Sequence, residues 1–298
     1  MKANHISVCV CTFKRAELLT YLLQRLNYQQ TEDLFTYSVV VADNDPAQSA
    51  RQTVEAFLPT ANMPVKYCHE SEQNIAMTRN KSLQNADGEF IAFIDDDEYP
   101  VDNWLLHLFK TRLAYEVAGV LGPVKPYFQQ KPPKWAEKGR FFDRPSYPTG
   151  YVLNFGQART GNVLFKAEIL AGTDEAFRTE FDTAGEDIDF FRRMMDKGFK
   201  FVWCDEAVAH ELVPNSRCTR RYLLRRALLR GSNFSKHPAH RLKNAMKSLV
   251  AVPCYLISLP FLILFGEHVF LRYLIKLLDH VSRLLSYAGL PVLTQRQT

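Results

Sequence analysis

Between residues 5 and 124, short apolar strands alternate with amphipathic helices, and no other feature narrows the fold so far. "HISVCVC" (5–11), "YSVVVAD" (37–43), "PVKYCHE" (64–70) and "EFIAFID" (89–95) read as strands, and 118–124 as another. Between them "RAELLTYLLQRL" (15–26), a stretch around 47–57, "NIAMTRNKSLQNA" (74–86) and 101–116 carry helical periodicity. Such alternation builds a mostly parallel sheet flanked by helices, so the expected class is α/β. Ligands of these sheets bind beyond the carboxyl ends of the strands. Thr12, Asp43 and Asp95 stand at or just after such ends.

The remainder is less regular. Residues 126–150, "PYFQQKPPKWAEKGRFFDRPSYPTG", are rich in Pro, aromatics and charge, as functional or mobile loops are. Strand patterns return at 151–166, 199–204 and 207–212, and "GEDIDFFRRMMDKG" (185–198) reads as a helix closed by Gly198. From Leu212 to Gly266 there is no Asp or Glu, while ten Lys and Arg lead into the uncharged run "SLVAVPCYLISLPFLILFG" (248–266). That run is about as long as a bilayer core is thick, although Pro253 and Pro260 suit a tilted or re-entrant helix as well as a straight span. An apolar stripe from Phe270 to Leu285 follows, with Arg272, Lys276 and Arg283 off it. We therefore expect a catalytic domain over 1–235 and membrane-associated helices over 236–298. The six cysteines lack a framework spacing and read as reduced thiols, and "MKANHISVCVCTF" is no secretory signal. Both fit an intracellular protein.

Asp95, Asp96 and Asp97, with Glu98 next, crowd the mouth of an apolar strand. Like charges so placed repel unless something positive sits among them. A solvated acidic loop is the bland reading. Glycoside hydrolysis needs carboxylates on opposite sides of a substrate, which neighbours in sequence do not provide. A divalent cation, Mg2+ or Mn2+, held by one or two carboxylates and substrate phosphates, supplies the missing charge. The acids of "GEDID" suit a helix N-terminus electrostatically and are equally placed to act as a base.

"VCVCTFKRAELL", "VVVADNDP", "QNIAMTRNKSL", "FIAFIDDDEYP", "TGNVLFKAEIL" and "AGEDIDFFRRMMDKGF", in this order, resemble the family 2 glycosyltransferases. The resemblance covers about residues 5–230, and its nearest subgroup makes bacterial exopolysaccharides such as succinoglycan. It implies a GT-A (Rossmann-like) fold and a nucleotide-diphospho-sugar donor, with a UDP-sugar the first candidate. By the same resemblance Thr12 and Arg15 meet the nucleotide, Asp43 the uracil, and Asn74 opens the helix whose Arg79 lies beneath the ribose and diphosphate. Asp95 and Asp96 serve the ribose side, Asp97 ligates the metal, and His210 either joins it near the metal or diphosphate or is structural, as a lone His on a short strand commonly is. Asp187, with Glu186 second, is the base of an inverting displacement, and Asp189 only suits the helix start. Gly161 and Asn162 shape the acceptor pocket, and Trp135 stands either to stack on an acceptor sugar or to pack its loop down. "NIAMTRN" lacks the Gly that many relatives carry after the first Asn, and "RTEFDTAG" replaces a plainer turn.

The function so implied is transfer of a sugar to a glycan or polyprenyl-diphosphate-linked acceptor, at the cytoplasmic face of the inner membrane. The alternative is a membrane-bound nucleotide-sugar-binding scaffold without catalysis, for which crowded unpaired acids serve no purpose. No GxGxxG follows the first strand, against a dinucleotide dehydrogenase. The basic residues lead into an apolar run rather than onto an aromatic sheet, against nucleic acid.

Overall fold

The computed structural model describes residues 4–181, 185–234 and 241–290. Its organising strand is β1 (Asn4–Thr12), buried on both faces. Ile6, Val8 and Val10 face one helical layer and Cys9 the other. In chain order there follow α1 (Ala16–Leu26), β2 (Phe35–Asp43), α2 (Arg51–Phe57), β3 (Val65–His69), α3 (Ile75–Gln84) and β4 (Phe90–Ile94). β5 (Glu98–Pro100), α4 (Trp104–Tyr115), β6 (Gly119–Leu121), β7 (Val124–Phe128) and α5 (Lys134–Gly139) come next. The chain continues with β8 (Asn162–Lys166), α6 (Glu186–Asp196), β9 (Phe201–Trp203), β10 (Ala209–Val213), α7 (Arg220–Phe234), α8 (Arg241–Leu262) and α9 (Glu267–Tyr287).

The main sheet has the order β3-β2-β1-β4-β8-β6-β9. Every pairing in it is parallel except the two made by β8, which runs against β4 and β6. Register sets the ligand end: Thr12 lies opposite Asp43 and Asp43 opposite His69. One face is packed by α1, α2 and α4 through residues such as Leu22, Phe57, Trp104 and Phe109. The other is packed by α3 and α6 through Ala76, Phe190, Phe191 and Met194. Of the strand pattern expected over 151–166 only 162–166 forms a strand, and 151–161 is turns with a single bridge from Val152 to Val202. The strand expected over 118–124 divides at Gly122 and Pro123 into β6 and β7, since Pro123 offers the ladder no N–H. β5, β10 and β7 form a second sheet in that order.

Two compact units emerge, Met1–Pro126 with Arg144–Glu211, and Tyr127–Asp143 with Leu212–Thr298. In the second, α9 packs on α7, α8 and α5. The boundary expected at 235/236 lies outside the described residues, as does Lys236.

Candidate active site

Three arginines reach into the acidic run. Arg15, just after β1, donates to Asp96 Oδ1 at 2.9 Å and to Asp97 Oδ2 at 3.2 Å, and Thr12 Oγ1 donates to Asp96 Oδ2 at 2.8 Å. Both Asp96 oxygens are thus engaged, and the residue is 4% exposed. Burial pushes it up to about 6, against the pull of Arg15. Arg79, on α3, lies 3.8 Å from Asp95 Oδ1. Arg144 lies 3.6 Å from Glu98 Oε1 and bonds Glu211.

Glu98 is the anomaly of the cluster. It is buried, and neither carboxylate oxygen has a hydrogen-bond partner. Burial, reinforced by Asp95, pushes its carboxyl well above the usual range. Gly161 lies against it: a Cβ there would stand 2.9 Å from Glu98 Oε1 and 3.0 Å from Asp95 Oδ2. Only a bare backbone allows the two carboxylates to come this close to the turn before β8.

The second half of the site is built by α6, which Gly185 opens at φ +102°, a conformation that favours glycine. Glu186 is buried and ion-paired to Arg79, and its Oε2 has no partner. Asp187 differs. Its Oδ1 accepts from the N–H of Ile188, while Oδ2 stands 3.9 Å from Arg159 Nε with the side chain 17% exposed. Asp189, read from sequence as merely suiting the helix start, is buried beneath three guanidiniums: Arg192 at 2.8 Å, Arg193 at 2.7 Å and Arg178 at 3.8 Å. Burial opposes its ionisation, but the hydrogen bonds from Arg192 and Arg193 prevail and hold it below the usual carboxylate value.

The structure thus brings Thr12, Arg15, Arg79, Asp95, Asp96, Asp97, Gly161 and Glu186 into one chain of contacts, with Asp187 beside Glu186. Other expected residues have different occupations. Asp43 is fully buried and accepts from the N–H of Asp45 and of Ala50 and from Tyr67 Oη, which fixes the loop after β2. Asn74 caps α3 through the N–H groups of Ala76 and Met77 and donates to the Thr179 carbonyl, tying that helix to the segment before α6. The Asn162 amide bonds Trp104 Nε1 and the carbonyls of Pro123 and Ala207, a bracing role in the core.

His210 is not brought to the carboxylates. Antiparallel pairing sets it opposite Tyr99, on which it stacks at 5.7 Å, and sets Glu211 opposite Glu98. Side chains alternate along a strand, so Glu211 shares the face of Glu98. Burial, with Lys125 and Arg25 as charged neighbours, lowers the His210 value. Trp135 belongs to the second unit, where it packs on Phe141 and lies under the Arg220 guanidinium. Sequence reading missed Arg144, Arg159 and Glu211. The one available signal was alternation in "AHEL", which puts Glu211 on the face opposite to His210.

These ion pairs join seven carboxylates to four guanidiniums, an excess of negative charge. Among the described residues no three His, Cys, Asp or Glu stand ready to hold an ion alone. A hard cation that completes its shell with phosphate oxygens needs only one or two carboxylates. The Glu98 oxygens, which no hydrogen bond engages, and the charge excess fit such a guest.

The architecture is GT-A. The mannosyltransferase PcManGT from Pyrobaculum calidifontis, solved with GDP-Man and Mn2+, superimposes with a TM-score of 0.61 at 19% identity, over 94% of this chain and 86% of that one. TarS 1-349 of S. aureus with UDP gives 0.54 at 16% identity, over 96% and 91%. The chain belongs to glycosyl transferase family 2, whose profile matches residues 7–174. Succinoglycan biosynthesis protein ExoM of Rhizobium meliloti is 33% identical over 254 residues, covering 83% of this chain and 80% of that protein.

Proposed function

We propose that this glycosyltransferase moves a hexosyl group, with inversion, from a nucleoside diphosphate sugar to a hydroxyl of a glycan or polyprenyl-diphosphate-linked acceptor in bacterial surface polysaccharide synthesis. The reading is supported by the succinoglycan protein among its relatives and by the UDP, UDP-GlcNAc and GDP-Man carried by solved GT-A neighbours. A UDP-sugar is the first donor to try. The observation that carries it is Arg79, which pairs with Glu186 on α6 and lies 3.8 Å from Asp95 at the end of β4. One guanidinium ties the donor-side acids to the helix that bears the base.

Asp187 is the base of this scheme. Its Oδ2 takes the proton of the acceptor hydroxyl as that oxygen bonds the anomeric carbon. The bond from that carbon to the diphosphate breaks, and its electron pair leaves with the diphosphate oxygen. Glu186, locked to Arg79, positions rather than abstracts. Asp97, with Asp95 and Glu98 beside it, would hold the Mg2+ or Mn2+. When bound, the cation neutralises charge developing on the leaving diphosphate.

The test is product analysis: incubation with a panel of nucleotide sugars and a lipid-linked glycan, the new anomeric centre read by NMR. We expect the configuration opposite to the donor's. A retained configuration, or nucleotide bound without any transfer, overturns the scheme. Asp97→Asn is expected to abolish Mn2+-stimulated nucleotide binding, measured by calorimetry, with folding intact.

A further inference from the structure

We infer that α8 lies flat in one leaflet of an anionic membrane, as an in-plane anchor rather than a transmembrane span. Among the described residues Asn244–Phe265 is the one helix long and apolar enough to cross a bilayer. It has no apolar partner on one side: Val250 is 67% exposed, Ile257 70% and Phe261 64%, and Leu264, in the 3-10 turn Ile263–Phe265 that continues α8, is 82% exposed. These positions follow helical spacing, so they form one continuous stripe along the helix. The opposite side is engaged. Ser248, fully buried, bonds His280 of α9 at 2.9 Å, and Tyr255 meets Tyr273 at 5.8 Å, so the two helices run antiparallel.

The partner helix rules out the span. α9 carries Glu267, Arg272, Lys276 and Asp279 along its length and is pinned to α7. Asp279 pairs with Arg230, Glu267 with Arg220, and Ser282 donates to the Leu228 carbonyl. Gly231 approaches the Asp279 carbonyl so closely that a Cβ there would stand at 2.4 Å. A spanning α8 would drag these charges, paired as they are, into hydrocarbon, where a charged side chain at mid-bilayer costs about 2.5–3.5 kcal/mol. Lying flat, α8 buries its stripe and leaves α9 and α7 in water.

Charge selects lipid as the occupant. α8 has no acidic residue, and its first two turns carry Arg241, Lys243 and Lys247, with Lys247 exposed. Basic residues at one end of an apolar stripe match anionic headgroups. A second copy of the chain would set these like charges together or leave them unpaired.

Cys254 supplies a built-in probe, being the exposed one of six free cysteines and lying on α8. The full chain is mixed with vesicles of phosphatidylcholine and phosphatidylglycerol and treated with a membrane-impermeant maleimide. We expect labelling of Cys254 to slow about 10-fold on vesicles, and the protein to float with them. Leu264→Asp with Phe265→Asp is expected to weaken vesicle partition about 100-fold without moving the melting temperature. In a Cys254→Ser background, His268→Cys just past the turn reports topology. Labelling from outside intact vesicles is the expected result, whereas labelling only after detergent means a span and overturns the inference. Cys254 protected without lipid, in step with a concentration-dependent dimer, makes a second copy the occupant and likewise overturns it.

Discussion

Asp187 and Glu186 share one helical turn, yet their surroundings give them different work. Asp187→Asn is expected to lower the transfer rate by about 10² to 10⁴-fold, the usual range for a positioned base. Donor affinity by calorimetry should stay unchanged. Glu186→Gln should instead free Arg79, raising the donor KM and lowering the melting temperature. A reversed pattern would make Glu186 the base. Gly161→Ala is a third test at this scale: its methyl meets two carboxylates at 2.9 and 3.0 Å, so donor turnover should fall while thermal stability barely moves. Much of this centre was legible, because "DDDE" and "GEDID" are local runs whose chemistry does not wait on tertiary contacts. Arg144 was not. It lies within the Pro-rich stretch 126–150, and its partners Glu98 and Glu211 stand on two strands far apart in sequence. His210 was misplaced for a related reason, since only pairing with β5 decides which face it takes.

Helix α6 shows how an element is held by charge as well as by its apolar side. Phe190, Phe191 and Met194 are buried in the core, and Asp189 gathers Arg178, Arg192 and Arg193. Since the folded state holds the Asp189 carboxyl below its ordinary value, its stabilising contribution is fully present above the unfolded carboxylate range, near pH 4. It is lost as pH falls through the folded-state value. Asp189→Asn should cost about 3 kcal/mol at neutral pH and flatten the acid limb of the stability curve, measured by urea unfolding at several pH values. Loss of the α3 cap in Asn74→Ala should cost about 1 kcal/mol, and more if the Thr179 tether matters to α6. Most helices were legible from 3.6-residue periodicity, but α5, inside the Pro-rich stretch read as a loop, and the Arg-rich α7 were not. The short strands β6 and β7 were less so, because three to five residues carry little pattern and Pro123 divides a run that otherwise reads as one strand.

At the scale of the whole molecule, an in-plane helix makes a plain cell-fractionation forecast. A wash at about 1 M salt, where the Debye length is only about 3 Å, should leave the protein with the membranes. Detergent should release it. Release by salt alone would mean that headgroup charge, not the α8 stripe, does the holding. The sheet has a different consequence, one felt during synthesis. β4 sits between β1 and β8, but it ends at Ile94 and β8 begins only at Asn162. While the chain between them is made, at about 5–20 residues per second, "FIAFI" is an unpaired edge for a time on the order of several seconds. An open apolar edge is a template for wrong pairing, so a nascent chain stalled before residue 162 should aggregate or recruit a chaperone. One stalled beyond Lys166 should do so much less.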